Sequence, residues 1–183
     1  MARQNVNNLP IRNTDAEILS IFGNSYNGRI ETGVHLGVSS ETSVYSMING
    51  QIIEVGNNTD YGNYIIIKDI YSSVNLGYLY GNLLSTNVSV GQNVTRNERV
   101  GTIFRTLILE IQGLTNRNWV FSQNTIYYID PSQILNYNDV VGDTLYYSYT
   151  PPTPPTPPTP TDNEYKRSKF PWVLYARKLR NKY

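Results

Sequence analysis

The sequence predicts an all-β domain followed by a proline-rich spacer and a short basic tail. Sixteen tyrosines, together with many Val, Ile, Asn and Thr residues, favour strands and polar turns. Between about positions 29 and 135, short β-type runs alternate with Gly, Asn and Asp. Positions 151–160 repeat Pro-Pro-Thr. A chain of 183 residues, 39% of them hydrophobic, can hold one domain of ordinary size with appendages.

The composition also limits the chemistry and the environment that we expect. The chain has no cysteine, which excludes disulfides and thiolate metal sites. Its first residues lack the apolar segment of a secretory signal. No apolar run approaches the roughly 20 residues that a membrane-spanning helix needs. We therefore expect a soluble protein that is made without a signal peptide.

The net charge of +1 hides an uneven distribution. Seven of the 15 Lys and Arg residues, but only two of the 14 acidic residues, lie from Asp162 onwards. The tail therefore carries +5, and positions 1–161 carry −4. A mildly acidic body with a basic tail predicts that the tail has a partner of its own.

Residues 1–28 are predicted to form an N-terminal arm or a short helix. Asn13-Thr14-Asp15 would cap a helix over 16–22, and Gly23 would end it. An alternative is a β-hairpin, or an extended arm that packs against a neighbouring subunit.

Residues 29–150 are predicted to form the β domain, as a compact sandwich or barrel. Asn49-Gly50 separates two β-type runs and predicts a hairpin between them. The predicted strands are Ser43–Ile48, Gln51–Val55, Asn63–Asp69, Ser73–Tyr80, Asn93–Thr95, Arg99–Phe104, Leu107–Gln112 and Thr125–Ile129.

Residues 151–161 are predicted to form a stiff polyproline II spacer, roughly 30 Å long at about 3.1 Å per residue. Proline at this density cannot donate the hydrogen bonds of a sheet. A different composition on each side of the repeat favours a spacer between two modules. A proline-rich ligand for an SH3-like pocket is the alternative.

Residues 162–183 are predicted to form a docking tail that contains a short amphipathic helix. Pro171 suits the first helical position, and the apolar residues after it recur at helical spacing. An aromatic face on a short helix is a usual anchor of docking peptides. A disordered basic end, membrane-surface binding and nucleic-acid binding are alternatives. The predicted partner-binding residues are Phe170, Trp172, Tyr175, Arg177, Lys178, Leu179 and Arg180.

The stretch from Gly33 to Leu135 resembles the lysostaphin-like (LytM-type) zinc endopeptidases, which cut peptidoglycan cross-bridges. The motifs that carry the resemblance stand in the order of the family. They are His35-Leu36-Gly37-Val38-Ser39, Asn49-Gly50-Gln51-Ile52-Ile53, Tyr61-Gly62-Asn63-Tyr64-Ile65-Ile66-Ile67, Tyr80-Gly81-Asn82-Leu83, Val88-Ser89-Val90-Gly91-Gln92-Asn93-Val94 with Val100-Gly101, Thr106-Leu107-Ile108-Leu109-Glu110 and Ile129-Asp130-Pro131-Ser132-Gln133-Ile134-Leu135. The resemblance implies a lysostaphin-like hybrid of sandwich and barrel.

The departures from the family pattern fall on its chemistry. The resemblance implies three zinc ligands, which align with His35, Ser39 and Ile108, and two assisting histidines, which align with Asn82 and Thr106. His35 is the only histidine of the chain. Serine is a poor zinc ligand, isoleucine has no donor atom, and a catalytic zinc needs about three protein ligands. The loop before the last motif is also short. We therefore expect no metal, no cofactor and no catalysis.

Two other chemistries have some basis in the sequence. Ser39 and Ser40 lie near His35, and Asp60 or Asp69 could orient a base, but no nucleophile elbow accompanies them. Glu54 and Glu110 could form a glycosidase-type pair, although scattered acids in any such chain offer similar pairs. For His35 we expect a hydrogen-bonded polar residue left in the groove, rather than a metal ligand.

The functional hypothesis is a non-catalytic structural or adaptor component of a bacteriophage virion, in its tail, baseplate or portal-proximal region. It rests on analogy of fold, because peptidases similar to this chain are often carried at virion tail tips. We expect partners among the subunits of the particle, including further copies of the chain. One alternative is a peptidoglycan-binding module that stacks sugars on its tyrosines (Tyr61, Tyr64, Tyr78 and Tyr80). The other is an inactive activator of cell-wall amidases, although such family members look exported and carry coiled coils.

Overall fold

Strands make up most of the part of the chain that this computed structural model describes, namely residues 1–26, 29–73, 75–114 and 126–147. The prediction of an all-β, lysostaphin-like fold is confirmed. The predicted spacer, the C-terminal helix and the docking tail lie outside the described residues. No helix among the described residues is long and apolar enough to cross a membrane.

Fifteen strands and one short helix are assigned in the described residues. Most of the strands that the sequence predicts are present, with small shifts of their ends. The elements are β1 (Arg3–Val6), β2 (Ala16–Ser20), β3 (Ser25–Tyr26), β4 (Arg29–Ile30), β5 (Val34–Gly37), β6 (Thr42–Tyr45), β7 (Gly50–Asn58), β8 (Gly62–Asp69), β9 (Leu76–Leu83), β10 (Ser85–Thr86), β11 (Asn93–Val94), β12 (Arg99–Ile103), β13 (Thr106–Leu114), β14 (Ile126–Ile129), α1 (Pro131–Leu135) and β15 (Thr144–Tyr147).

The main sheet has the strand order β1-β15-β2-β5-β13-β9-β8-β7-β11, and β14 also pairs with β13. All of its pairs are antiparallel except β1 with β15. A second sheet has the order β10-β12-β6, and β3 pairs with β4. This arrangement places β5, β13 and β9 side by side in the middle of the main sheet.

One hydrophobic core joins the two larger sheets. On β13, Leu107, Leu109 and Ile111 are fully buried in it, and Val100 and Ile103 of β12 join the same cluster from the second sheet. The period-2 alternation of a strand sends these side chains to one face and their sequence neighbours to the other. The opposite face of β13 and β5 is therefore free to carry other chemistry.

The predicted helix over 16–22 is wrong, because residues 16–20 form strand β2. Ala16, Ile18 and Ser20 are buried while Glu17 and Leu19 are exposed, which is the alternation of a strand rather than of a helix. The short Ala-Glu-Ile-Leu-Ser run is compatible with the hydrophobic period of a helix and with that of a strand. Its pairing with β5 and β15 makes it a strand.

The predicted hairpin at Asn49-Gly50 is also wrong. The strand before it, β6, belongs to the second sheet, and the strand after it, β7, pairs with β8 and β11 in the main sheet. A two-residue turn with Asn-Gly needs positive φ at both residues, and neither residue has it. Gly50 is instead needed for close packing, since a Cβ there would lie 2.5 Å from the Lys68 carbonyl oxygen.

The N-terminal residues pack against the C-terminal end of the described chain. Strand β1 lies beside β15, and the Ala2 amide donates to the Asp143 carboxylate at 2.5 Å. The Arg12 guanidinium stacks on two rings, 4.4 Å from the centroid of Tyr45 and 4.6 Å from that of Tyr147. Strands β1 and β2 are thus paired parts of the main sheet.

Candidate functional site

The face of the main sheet opposite the core brings together most of the positions that the resemblance assigns to zinc chemistry. We call it the groove face and define it by His35 of β5 and by Ile108, Glu110 and Gln112 of β13. His35 pairs with Ile108 in the register of β5 and β13. Ile108 in turn pairs with Gly81 of β9. The alternation of β13 explains the arrangement, because Ile108 stands between the buried core residues Leu107 and Leu109.

Asn82 and Thr106 lie next to each other at the end of this face. The Asn82 side-chain amide donates to the Thr106 carbonyl oxygen at 3.0 Å. Its backbone amide donates to the Tyr61 carbonyl oxygen at 2.5 Å, and its φ of 60° is left-handed. Asparagine tolerates that conformation better than most residues. The side-chain amide and the backbone amide of Asn82 therefore both donate to backbone carbonyl oxygens of neighbouring segments.

Ser39 is the exception among the five positions. It is exposed in the bend after β5, whereas Gly37 of that strand pairs with Thr106. Asp69, which the serine-triad alternative would use, accepts the amides of Tyr71 and Ser72 at 2.9 and 3.0 Å and so forms a turn. The described contacts give no support to a serine triad.

The His35 imidazole is paired with a carboxylate that the sequence analysis did not single out. Its Nε2 lies 2.9 Å from Oε2 of Glu31, and both side chains are largely buried, with 19% and 14% of their surface exposed. Glu31 precedes β5, and a spacing of four residues carries no information about contacts outside a helix. Only the fold could reveal this pair.

Glu110 is a buried carboxylate held by a ring of donors. It is 3% exposed and accepts hydrogen bonds from the hydroxyl of Thr32, from the hydroxyl of Tyr61 at 3.0 Å and from Nε2 of Gln112 at 3.3 Å. Burial raises the pKa of Glu110, the three donors oppose that shift, and the charge of Glu31 adds to it. Burial and the neighbouring Glu110 charge also raise the pKa of Tyr61 well above its usual range.

Glu54, the other member of the glycosidase-type pair, is also bound by a tyrosine. The Tyr64 hydroxyl donates to Glu54, and this bond together with burial raises the pKa of Tyr64 to about 12. The rings of Tyr61 and Tyr64 meet edge to face, with centroids 5.8 Å apart and planes at 64°. Each carboxylate is thus engaged by its own tyrosine.

Of the four tyrosines that the sugar-stacking alternative uses, two lie in the core. Tyr78 is 4% exposed and Tyr80 is fully buried, with its hydroxyl accepting the Met47 amide at 3.0 Å. They cannot stack on a ligand. Tyr61 and Tyr64 stay on the groove side and are partly exposed.

The donor atoms of the groove face do not suit zinc. The residue opposite His35 is isoleucine, and the imidazole itself is paired with Glu31. No group of three or more His, Cys, Asp or Glu side chains within the described ranges could hold a metal ion. What the face does offer is a network of hydrogen bonds in which Glu110 accepts from Thr32, Tyr61 and Gln112.

The fold is that of the lysostaphin-like peptidases, and comparison with known sequences finds similarity to one peptidase family over part of the chain. Residues 29–114 match the family profile described as Peptidase family M23. A stretch of 88 residues is 32% identical to the cell division protein DipM of Caulobacter vibrioides (strain NA1000 / CB15N). That match spans 48% of this chain and 14% of DipM. These matches support the resemblance drawn from the motifs over the matched residues, and the relative is matched over only a small part of its length.

Solved structures agree on the fold. The catalytic domain of lysostaphin from Staphylococcus simulans superposes with a TM-score of 0.51 at 22% identity, covering 67% of this chain and 92% of that chain. A chain of the SpoIIIAH and SpoIIQ complex gives 0.52 at 13% identity, covering 69% and 97%. The catalytic domain of the prophage-encoded M23 protein EnpA from Enterococcus faecalis gives 0.50 at 16% identity, covering 64% and 89%.

Proposed function

We propose that this protein is a non-catalytic structural or adaptor component of a bacteriophage virion, built on an M23-type domain. The observation that carries the non-catalytic part is the pairing of His35 with Ile108 across β5 and β13, with the imidazole held by Glu31. A peptidase of this type needs a second imidazole where the isoleucine stands. Without it, too few protein ligands remain to hold a zinc ion that could activate a water molecule.

The remaining architecture supports a role in assembly. The β domain has a packed core, and the sequence after it is predicted to combine a proline-rich spacer with an aromatic, basic segment. Trp172 and Tyr175 are the anchors that we expect to enter a pocket of a partner subunit, and Arg177 and Lys178 would complement an acidic rim.

Two similarities favour this use of the fold. The prophage-encoded protein EnpA has the same fold, and a chain of the SpoIIIAH and SpoIIQ complex has it as well. The first favours a viral origin, and the second favours a domain that takes part in protein assembly. Both similarities concern the fold alone, so the virion role is a proposal that particle composition must test.

The test is the composition of purified particles. Quantitative mass spectrometry should find this protein at a fixed copy number per particle. A chain that ends at Thr150 should be made in normal amounts yet be missing from particles. Trp172→Ala should lower incorporation strongly, whereas the matched control Lys182→Ala should leave it unchanged. Absence of the intact protein from particles, or normal incorporation of the truncated chain, would contradict the proposal.

DipM gives a specific reason to keep a second candidate, an inactive regulator of cell-wall amidases. The 32% identity over 88 residues is to a cell division protein, although it covers a small part of that protein. On this alternative, the purified chain would raise the activity of a cell-wall amidase in a dye-release assay, and particles would lack it. The two experiments have opposite expected results for the two candidates.

A further inference from the structure

The chain reverses its direction after the short helix α1. Asn136 has a left-handed φ of 55°, and the amides of Asn136 and Tyr137 both donate to the Ser132 carbonyl oxygen, at 2.8 and 3.4 Å. A left-handed residue just after a helix ends it and turns the chain back. Asp130 caps the start of the same helix by accepting the Ser132 amide at 2.9 Å. The turn returns the chain past Asp130, whose charge acts on both Tyr137 and Asp139.

Two oxygen atoms after this turn are buried and have no hydrogen-bond partner within the described part of the chain. They are the Tyr137 hydroxyl oxygen and Oδ1 of Asp139. Tyr137 is 9% exposed and belongs to the hydrophobic core, which fixes the position of its hydroxyl. The two groups lie close enough for each to shift the pKa of the other, but their orientation does not make a hydrogen bond. A buried polar atom without a partner needs an explanation, and a bound water or ion is one of the usual ones.

Negative charge is concentrated around the same atoms. Burial raises the pKa of Asp139, and the charge of Asp130 raises it further. Burial also raises the pKa of Tyr137 well above its usual range, and the charges of Asp139 and Asp130 add to that shift. Among the residues that the structure describes, no Lys or Arg side chain forms an ion pair with Asp130 or Asp139. We call Asp130, Tyr137 and Asp139 the acidic loop site.

Strand β1 holds the acidic loop site in place. Nε2 of Gln4 donates to the Asn138 carbonyl oxygen at 2.9 Å, and the Asn138 amide donates to Oε1 of Gln4 at 2.7 Å. The Val140 amide donates to the same carbonyl oxygen at 3.0 Å. Asn138 separates Tyr137 from Asp139, so these bonds fix the backbone between the two. A site whose backbone is held in this way can bind a ligand without first becoming ordered.

We propose that the acidic loop site binds a calcium ion. Its side chains offer oxygen atoms alone, and such donors suit hard cations rather than zinc or copper. Calcium accepts about six to eight oxygen ligands in irregular arrangements, whereas magnesium needs a regular octahedron and keeps much of its water. The site has only two carboxylates, and no group of three or more His, Cys, Asp or Glu side chains within the described ranges could hold a metal ion. Backbone oxygens and water must therefore supply the remaining ligands, and we expect weak binding, with a dissociation constant of about 10⁻⁴–10⁻³ M.

This inference goes beyond the proposed function, because a cation at residues 130–139 does not depend on where the protein is assembled. These residues also follow the stretch 29–114 that matches the peptidase family. Purified full-length protein, freed of metal with a chelator, is titrated in a calorimeter with calcium chloride up to about 10 mM. We expect saturable binding near one equivalent, and weaker binding of magnesium under the same conditions. Calcium should also raise the temperature of thermal unfolding, because it binds the folded state.

Terbium luminescence reports on the position of the ion. Terbium occupies calcium sites, and its emission rises when a tyrosine close to it is excited. The unchanged protein should therefore sensitise terbium, and added calcium should compete this signal away. Tyr137→Phe should lower the sensitised emission at least twofold, because it removes the nearest phenol.

A pair of matched variants separates the acidic loop site from a general effect of surface charge. Asp139→Asn should weaken calcium binding at least tenfold, because it removes the charge and keeps the shape of the side chain. Asp60→Asn is the control, because Asp60 is exposed in the turn between β7 and β8. Its calcium binding should equal that of the unchanged protein. Circular dichroism should report a folded domain in each variant that is compared.

Four results would overturn the inference. They are no saturable calcium binding up to about 10 mM, equal binding by Asp139→Asn and Asp60→Asn, terbium emission that Tyr137→Phe leaves unchanged, and equal affinities for magnesium and calcium. If Asp139→Asn fails to fold, the terbium emission of Tyr137→Phe decides the question.

Discussion

The two faces of strand β13 differ in composition, because one is apolar and lies in the core while the other belongs to the groove face and includes Glu110 and Gln112. Leu107, Leu109 and Ile111 point into the core and are fully buried, as the packing of two sheets demands. On the other face, Ile108 stands opposite His35 at a position where the family resemblance implies a histidine. The same strand thus has one face that fills the core and one face that departs from the resemblance at Ile108. Because neighbouring residues of a strand face opposite sides of the sheet, the residues of one face can differ from the family pattern while those of the other face still fill the core.

Alanine substitutions on the two faces should give the largest difference. We expect Leu109→Ala to lower the free energy of unfolding by about 2–5 kcal/mol, because it removes a fully buried side chain and leaves a cavity. Ile108→Ala should cost roughly 1 kcal/mol, since Ile108 is only partly buried. Urea unfolding of both variants measures the difference. Equal losses would mean that the groove face is as essential to packing as the core.

The contact between β5 and β13 gives a second test of the comparison. Gly33, just before β5, lies so close to β13 that a Cβ would be 2.3 Å from the Leu109 carbonyl oxygen and 2.6 Å from Cγ of Glu110. Gly33→Ala should therefore cost about 1–3 kcal/mol, because a backbone carbonyl cannot move aside easily. Gly81→Ala is the milder control, since its nearest contacts are at 3.2 Å. A smaller loss for Gly33→Ala than for Gly81→Ala in thermal unfolding would contradict this packing.

The smallest expected effect concerns the buried carboxyl of the groove face. Burial raises the pKa of Glu110 above the value of 4.5 that an unfolded chain would show, so the folded state binds the proton more tightly. Its contribution to stability is then greatest below about pH 4.5 and falls as the pH rises through the folded-state pKa. Glu110→Gln does not titrate, so its stability relative to the unchanged protein should improve from pH 4 to pH 7. A constant difference, or one that moves the other way in thermal melts, would contradict the shift.

Much of the fold was predictable because strand periodicity and turn residues are local signals. The runs at 63–69, 99–104 and 107–112 lie close to β8, β12 and β13. Local signals failed where pairing between distant strands determines the secondary structure or the connection. The run at 16–20 becomes a strand because β5 and β15 lie beside it, and Asn49-Gly50 connects two sheets rather than two paired strands. Strand β15 was not predicted. The short helix α1 was not predicted either, although Asp130 at the N-cap and Pro131 after it are a usable signal for the start of a helix.

The residues of the site were predictable only where the order of the family motifs identifies their positions in the sequence. The motifs placed His35, Ile108, Asn82 and Thr106 in one region, and strand register and hydrogen bonds bring them together there. Motifs could not reveal that Glu31 binds His35 or that Thr32 and Tyr61 hold Glu110. The contacts of Glu110 join segments that are distant in sequence, and the contact of Glu31 with His35 spans four residues outside a helix, so no spacing rule describes either. The role of the tail residues from Phe170 to Arg180 stays a prediction, because they lie outside the described residues.

The most direct test of the proposed non-catalytic role is a zinc and hydrolysis measurement on the unchanged protein. Purified full-length protein is incubated with excess zinc, dialysed and assayed for bound metal, and it is then tested for release of soluble fragments from purified cell walls. We expect no stoichiometric zinc and no zinc-dependent release, with lysostaphin as the positive control. Zinc bound at one equivalent, together with release that a chelator abolishes, would contradict the proposed non-catalytic role.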